Sequence, residues 1–385
     1  MALLVTLVPA VATARESGKP GKPGLTETQT APTTLRLAGA GRGMAALDVP
    51  LADRLDRVAP RRWRTTPMRT SGFRMVGVTW SGVAEPTVRV RVRTPAGWAD
   101  WRVLPHQHDG PNPTTDGGGR VHGTQAVWTG AARDLQVEVR GARPAGLTLA
   151  LLEPRRLPGD AEESAKASVI RPHQATTGET ARATTAPPPQ ILPRSAWGAN
   201  PRWRNGSPRY NKVVYQVHIH HTAGSLMYTR EDVPALLRGM YRYHTHSLGW
   251  FDIGYNFLVD KFGRAWEGRS GGMTRVVQGA HTRGFNHNSV GIAVIGRFDG
   301  WAPRRKALAT IARLAAWKLE PFHGRPRGTV KRRSEGSDRY RAGRWVRLPV
   351  IDGHRDTNET ACPGAGLYRK LPVIRRMTAR RMAMT

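Results

Sequence analysis

Cysteine is almost absent: the 385 residues contain one, Cys362. An internal disulfide is therefore excluded, and with it the bridged framework that many small exported domains depend on. What remains for the sulfur is an inert buried thiol, an intermolecular bridge, a nucleophile or a metal ligand, and composition does not choose among them. Acidic residues are also scarce, 28 against 60 lysines and arginines, which leaves a formal charge of +32 and a pI near 11.6. Such an excess attracts polyanions. Nucleic acid is the default partner for it, whereas an exported protein meets anionic cell-wall polymers and lipid head groups first; high genomic use of arginine would account for part of the excess. No run approaches the ~18 apolar residues that a transmembrane helix needs, so the protein is expected to be soluble and not membrane-spanning.

The chain opens MALLVTLVPAVATARESG. An apolar run over residues 2–12 ends in the small-x-small sequence Ala12, Thr13, Ala14, so residues 1–14 read as a secretory signal cleaved after Ala14, without the charged region that usually precedes such a run. At 42.4 kDa and 39% hydrophobic residues, the chain can bury two cores. Residues 155–190, with PGDAEES, ATTGET and ATTAPPPQ, form a Pro/Thr/Ala-rich stretch without apolar periodicity, which reads as a solvated linker. Few contacts are expected across it, so that segment 191–385 would fold alone.

Before the linker, short runs alternate: Val88, Val90 and Val92 against Arg89, Arg91 and Arg93, then Leu135, Val137 and Val139 against Gln136, Glu138 and Arg140. With Gly and Pro clusters between them, these runs predict a β-rich, sandwich-like domain over residues 34–154. Trp80, Trp98, Trp101 and Trp128 read as core residues in preference to a sugar-stacking surface.

After the linker the pattern becomes mixed α and β. KVVYQVHIHHTA is strand-like. Thr229 precedes REDVPALLRGMYRYH, whose Val233, Leu236, Leu237, Met240 and Tyr241 recur at helical spacing, which predicts a helix capped near Thr229. YNFLVDKFGRAWEG reads as a hairpin turning at 260–263, SVGIAVIG as a buried strand and ALATIARLAAWKLEPF as a second helix. The fold class is α/β, a mixed sheet flanked by helices.

In GHRDTNETACPG, His354 and Cys362 lie eight positions apart, close enough for one loop to bring both onto one ion. Imidazole and thiolate suit Zn²⁺, and a catalytic zinc takes three protein ligands and leaves the fourth position open. HIHH can supply the third, because a strand's period of two puts His218 and His220 on one face and His221 on the other. Periodicity does not decide which histidine binds.

Taken in order, VHIHHTAGS, GWFDIGYNFLVDKFGRAWEGR, GAHTRGFNHNSVGIAVIG and GHRDTNETACPG resemble the peptidoglycan recognition protein and type 2 amidase family, whose zinc members are N-acetylmuramoyl-L-alanine amidases. The resemblance begins near ILPRSAWGA and implies an amidase-like domain over residues 191–378. It implies Zn²⁺ as cofactor, with His220, His354 and Cys362 as ligands, and it implies that Tyr255 lies beside the metal, where it can donate to a developing oxyanion. Thr360 falls where relatives carry lysine or threonine with a catalytic share. His281, Asn286, Trp250 and Arg283 fall where relatives line the peptide-stem groove. His218 stands where relatives are usually apolar, as a supporting residue or an alternative ligand. Glu267 and Glu359 are candidates for delivering a proton to the leaving amine.

The substrate so implied is the muramyl peptide of peptidoglycan, cut between N-acetylmuramic acid and L-alanine by a secreted or wall-associated monomer, with no nucleic acid partner. Residues 321–347 hold nine Lys or Arg against two acidic residues, which fits either a solvated loop or attraction to anionic wall polymers. Three other readings compete: a peptidoglycan-binding protein that does not cut, a thiol hydrolase with Cys362 as nucleophile and His354 as base, and a nucleic-acid-binding protein that rests on charge alone.

Overall fold

The alternating valines and leucines of the first half pack as their period requires: Val88, Val90, Leu135, Val137 and Val139 are buried together with Phe73, Val76 and Leu149. The structure is a computed structural model that describes residues 34–94, 96–112, 121–165, 186 and 188–383. The segment read as a signal, residues 1–14, and most of the proposed linker lie outside the described residues.

Strands Met68–Ser81 and Val127–Arg140, 14 residues each, pair with one another and with further strands along different parts of their length. Hydrogen bonding thereby joins eleven strands into one curled, sandwich-like sheet. Register shifts near Ala132 bend the second of these strands, as bulges do. On the polar side of the alternation Glu138 is not solvated: its carboxylate accepts from Arg62 and Arg64 at one oxygen and from Arg89 and Arg140 at the other. Trp80 and Trp128 are core residues. Trp98 and Trp101 are half-buried under the guanidinium of Arg91, which stands 4.9 Å from each ring.

The second half is built on a six-stranded mixed sheet in the order Ile191–Leu192, Ala265–Glu267, Phe257–Val259, Ser289–Val294, Gln216–His221, Ile351–Gly353. The hairpin turn at 260–263 is present, with Asp260 N–H donating to Arg264 O. Gln216–His221 runs parallel to both of its neighbours. Helix Arg305–Leu319 and helix Leu371–Ala383 cover one face, packing on Val217, Ile219 and Ile292. Helix Val233–Arg242 packs in a second apolar cluster with Leu258, Trp266 and Ala293. That helix begins at Asp232, not at Thr229: Pro234 sits in its first turn, and the Asp232 carboxylate accepts from Thr229 N–H. Among the described residues no helix is long and apolar enough to cross a membrane.

The expectation of few contacts across the linker is not met. Met44, Met75, Trp128 and Leu152 of the first half share one core with Trp197, Leu237, Tyr243 and Trp250 of the second. The Tyr243 hydroxyl donates to Thr124 O at 2.8 Å, and its ring passes so close to Gly77 that a Cβ there would stand 2.6 Å from it. The segment read as solvated linker also starts as structure, since Asp160–Ala165 is helical and Asp160 is buried. Asp160 meets Arg238, fully buried on helix Val233–Arg242. It donates to both Asp160 carboxylate oxygens at 2.9 and 2.6 Å and to the carbonyls of Trp197 and Arg155. Composition signalled a linker but could not show that its first residues answer a buried cation.

Arg238→Ala is expected to lower the urea midpoint by the equivalent of about 3–5 kcal/mol, because Asp160 would be left buried without its partner. A loss below about 1 kcal/mol, the range of exposed pairs, would show that the pair does not hold the two halves together.

Candidate metal centre

The strand period puts His218 and His220 on one face, and their contacts there tell them apart. Val217 and Ile219 enter the core under helix Arg305–Leu319, so His218 and His220 point to the other face. His354 follows directly on the neighbouring parallel strand Ile351–Gly353 and lies buried in a short 3₁₀ turn. Both histidines therefore stand at the carboxyl ends of parallel strands, where open α/β sheets bind ligands. Cys362 returns over them from the following loop, held by Thr360, whose hydroxyl accepts from Cys362 N–H at 3.2 Å. Thr360 is thus placed as a support of the cysteine loop. The Cys362 sulfur accepts from His221 N–H at 3.4 Å and stands 3.8 Å from His220 Nδ1. One donor atom each from His220, His354 and Cys362 lie within 4.8 Å of one another, and all three residues are buried.

His218 is not part of this cluster. Its Nδ1 pairs with Asp352 Oδ1 at 2.7 Å, and its ring packs near His281. His281, expected in the peptide groove, lies behind His220 instead: His220 Nε2 is 3.2 Å from His281 Nδ1 and 3.3 Å from Thr282 Oγ1, two acceptors for its proton. That arrangement leaves Nδ1 of His220 as the lone-pair nitrogen facing Cys362, the outer-sphere pattern that metal-binding histidines require. Glu267 and Glu359, candidates for proton delivery, are elsewhere. The Glu267 carboxylate accepts from Arg194 N–H, and Glu359 is exposed.

The carboxylate that does reach the cluster comes from the first half of the chain. Asp109 is 1% exposed. Its Oδ2 accepts from the Tyr255 hydroxyl at 2.6 Å, from Gln107 at 2.8 Å and from Gln125 at 2.9 Å. Its Oδ1 lies 3.0 Å from His354 Nδ1 and 3.4 Å from His220 Nδ1, close polar contacts without the angles of a well-formed hydrogen bond. Nothing in PHQHDGPNP marks this aspartate, because no local spacing links it to a histidine strand more than a hundred residues on. Asn286, read as a groove residue, is buried, with its amide donating to Gly110 O and Asn112 Oδ1. Trp250 and Arg283 flank Gly110.

The donor chemistry fits a metal ion. Burial pushes His220 down to about 4, which makes it a neutral ligand near pH 7, and burial pushes the Cys362 thiol well above its ordinary value. A thiol so placed is a poor nucleophile and ionises only when a cation offsets the charge. Ligand atoms ~2.0–2.3 Å from one tetrahedral zinc stand about 3.3–3.7 Å apart, close to the separations of His220 Nδ1 from Cys362 and from Asp109 Oδ1. His354 Nδ1 and Asp109 Oδ1 converge at 3.0 Å without a well-formed hydrogen bond, and both are atoms that a bound cation would accept as ligands.

Fold and site together define an α/β domain with a buried His-His-Cys cluster suited to a metal ion. Residues 210–365 match the N-acetylmuramoyl-L-alanine amidase family profile, and residues 27–184 match one described as Rv3811 N-terminal galactose-binding domain-like. Peptidoglycan-recognition protein SC2 of Drosophila melanogaster is 32% identical over 181 residues, 47% of this chain and 84% of the relative. Peptidoglycan recognition protein 1 of Mus musculus is 33% identical over 180 residues, 46% of this chain and 84% of the relative. Human N-acetylmuramoyl-L-alanine amidase is 32% identical over 196 residues, 50% of this chain but only 29% of that longer protein. Among solved structures, Drosophila PGRP-LB matches at 26% identity over 47% of this chain and 91% of its own, with a TM-score of 0.37. The chain belongs to the peptidoglycan recognition protein and type 2 N-acetylmuramoyl-L-alanine amidase family.

Loss of a first ligand should weaken metal binding by more than the roughly 10–100-fold that removal of a supporting residue costs. Cys362→Ser is therefore expected to carry far less than one zinc per chain by plasma mass spectrometry, under conditions where the parent protein is loaded. Equal zinc in both proteins would remove Cys362 from the ligand set.

Proposed function

We propose that the protein hydrolyses the amide bond between N-acetylmuramic acid and L-alanine in peptidoglycan, using one zinc ion held by His220, His354 and Cys362. The observation that carries this reading is the convergence of those three buried donors within 4.8 Å, in a chain whose relatives include an N-acetylmuramoyl-L-alanine amidase. A zinc ion so held supplies Lewis acidity, polarising the scissile carbonyl and lowering the pKa of water to about 7. The other tasks fall to side chains. His281 and Thr282 orient the His220 ring through its outer nitrogen. Tyr255 keeps its phenolic proton, because burial and the adjacent Asp109 both raise its pKa, and so it can donate to the carbonyl oxygen as charge develops there. Trp250, Arg283 and Asn286 are assigned to the groove that takes the peptide stem.

The reading places the protein outside the cell as a monomer. Residues 1–14 serve as its signal, 34–154 as the β-rich domain, 155–190 as the connection and 191–378 as the amidase domain. Its charge of +32 would draw it to anionic wall polymers. The raised pKa of Cys362 favours a ligand over a nucleophile.

Digestion of purified muropeptides, followed by mass spectrometry, is expected to release products with a new L-alanine amino terminus. A chelator should stop the release and added Zn²⁺ should restore it. Cleavage that survives chelation but not alkylation would replace this reading with the thiol hydrolase; retention of muropeptides without any cleavage would replace it with a binding protein.

Tyr255 is tested where Asp109 no longer holds its hydroxyl. In an Asp109→Ala background, Tyr255→Phe should leave zinc content unchanged and slow cleavage by about 10²–10³-fold, the usual effect of losing one such donor. An unchanged rate would make Tyr255 a packing residue.

A further inference from the structure

Residues 107–112 of the first half lie against Gly284 and against Trp250, Arg283 and Asn286, the residues assigned above to the peptide-stem groove. Gly110 and Asn112 meet polar partners of the second half. Gly110 O accepts from Asn286 Nδ2 at 2.8 Å, and Asn112 Oδ1 accepts from Gly284 N–H at 2.8 Å and from Asn286 Nδ2 at 2.9 Å. Gly110 approaches the ring of Trp250 and the guanidinium of Arg283 so closely, at a φ of +146°, that a side chain there would be both strained and in contact with them. The segment is anchored on both sides of Asp109 by the only two acidic residues of the basic stretch 321–347. His108 Nδ1 lies 2.9 Å from Asp338 Oδ2, and Asn112 Nδ2 donates to Glu335 Oε2.

At the centre, three donors hold Asp109 Oδ2 and turn Oδ1 toward Nδ1 of His220 and of His354. A carboxylate acting as a general base would need its free oxygen to face a water or substrate in an open groove. Here the free oxygen faces two imidazole nitrogens, and the main chain of Gly110 lies against Trp250, Arg283 and Asn286 beside it.

We infer that Asp109 is a fourth protein ligand of the metal position and that residues 107–112 close the substrate groove, so that the chain as folded is a latent form. This inference rests on the reading of His220, His354 and Cys362 as a metal centre serving muramyl peptides. The segment presents a carbonyl, an amide side chain and a carboxylate to Asn286, Gly284 and the metal position. Those are groups a peptide stem also carries, so loop and substrate compete for the same donors. Withdrawal of the loop frees the fourth position and the groove together.

The test uses full-length protein and its Asp109→Ala and Asn112→Ala variants, loaded with Zn²⁺ for binding and with Co²⁺ for spectroscopy. If the closed form holds more than about nine-tenths of the wild type, opening it should tighten binding of N-acetylmuramoyl pentapeptide about tenfold or more, because apparent affinity scales with the open fraction. Calorimetry is expected to show this gain for both variants. The visible bands of Co²⁺ should ignore added thiocyanate in the wild type and shift in Asp109→Ala, where a ligand position is open.

Binding in both variants no tighter than in the wild type would overturn the proposal, as would a wild-type Co²⁺ spectrum that already responds to thiocyanate. Cleavage that falls in Asp109→Ala while binding is unchanged would make Asp109 a catalytic carboxylate and also overturn it. Tighter binding without cleavage would leave the closed groove standing and remove the amidase reading; chelator-sensitive cleavage equal in wild type and variants would do the reverse. Should Asp109→Ala not fold, Asn112→Ala decides by its binding, since it keeps the fourth ligand and loosens only the loop.

Discussion

Two imidazoles, a thiol, a phenol and a carboxylate are buried together at the ends of two parallel strands, and their burial must be compensated. The surrounding architecture follows from that requirement. His220 is served by His281 and Thr282, Asp109 by Tyr255, Gln107 and Gln125, and the sulfur of Cys362 by the backbone of His221. What no well-formed hydrogen bond satisfies is the meeting of His354 Nδ1 with Asp109 Oδ1, 3.0 Å apart. A cation placed between them would answer both, which is why the metal reading accounts for the geometry more fully than a nucleophilic thiol.

The scarcity of acid gives the few carboxylates disproportionate structural weight. In a chain with 28 acidic residues against 60 basic ones, Glu138 gathers four arginines, Asp160 holds Arg238, Asp338 meets His108 and Glu335 meets Asn112. The last two change the meaning of the basic stretch 321–347. It is a hairpin, Thr329–Arg333 with Trp345–Pro349, and the acids in its connection clasp His108 and Asn112 of the first half. Charge arithmetic could see its excess of arginine but not the use of its two exceptions.

Much of the second half was legible because its signals are local. The period of two in HIHH put His220 opposite Ile219, the turn in YNFLVDKFGRAWEG fell where Asp260 and Arg264 close it, and SVGIAVIG is a strand buried on both faces. The spacing of His354 and Cys362 needed only one returning loop to become geometry. What stayed hidden was carried by contacts between distant segments. Asp109 has no periodic partner, His281 looks like any loop histidine until the sheet brings it beneath His220, and the start of the linker carries an Asp160 whose buried partner, Arg238, lies far along the chain. The shared core of Met75, Trp128, Trp197 and Tyr243 was invisible for the same reason: each half reads as a complete domain by composition, and only their packing shows an interface.

The account stands or falls on what fills the space between His220, His354, Cys362 and Asp109, and zinc-edge anomalous diffraction from crystals of the full-length protein looks there directly. The predicted result is one anomalous peak bonded to Nδ1 of His220, Nδ1 of His354, the sulfur of Cys362 and Oδ1 of Asp109. A zinc-soaked crystal with no peak among these atoms would contradict the metal centre, and a peak held by the first three with Asp109 turned away would contradict the closed form.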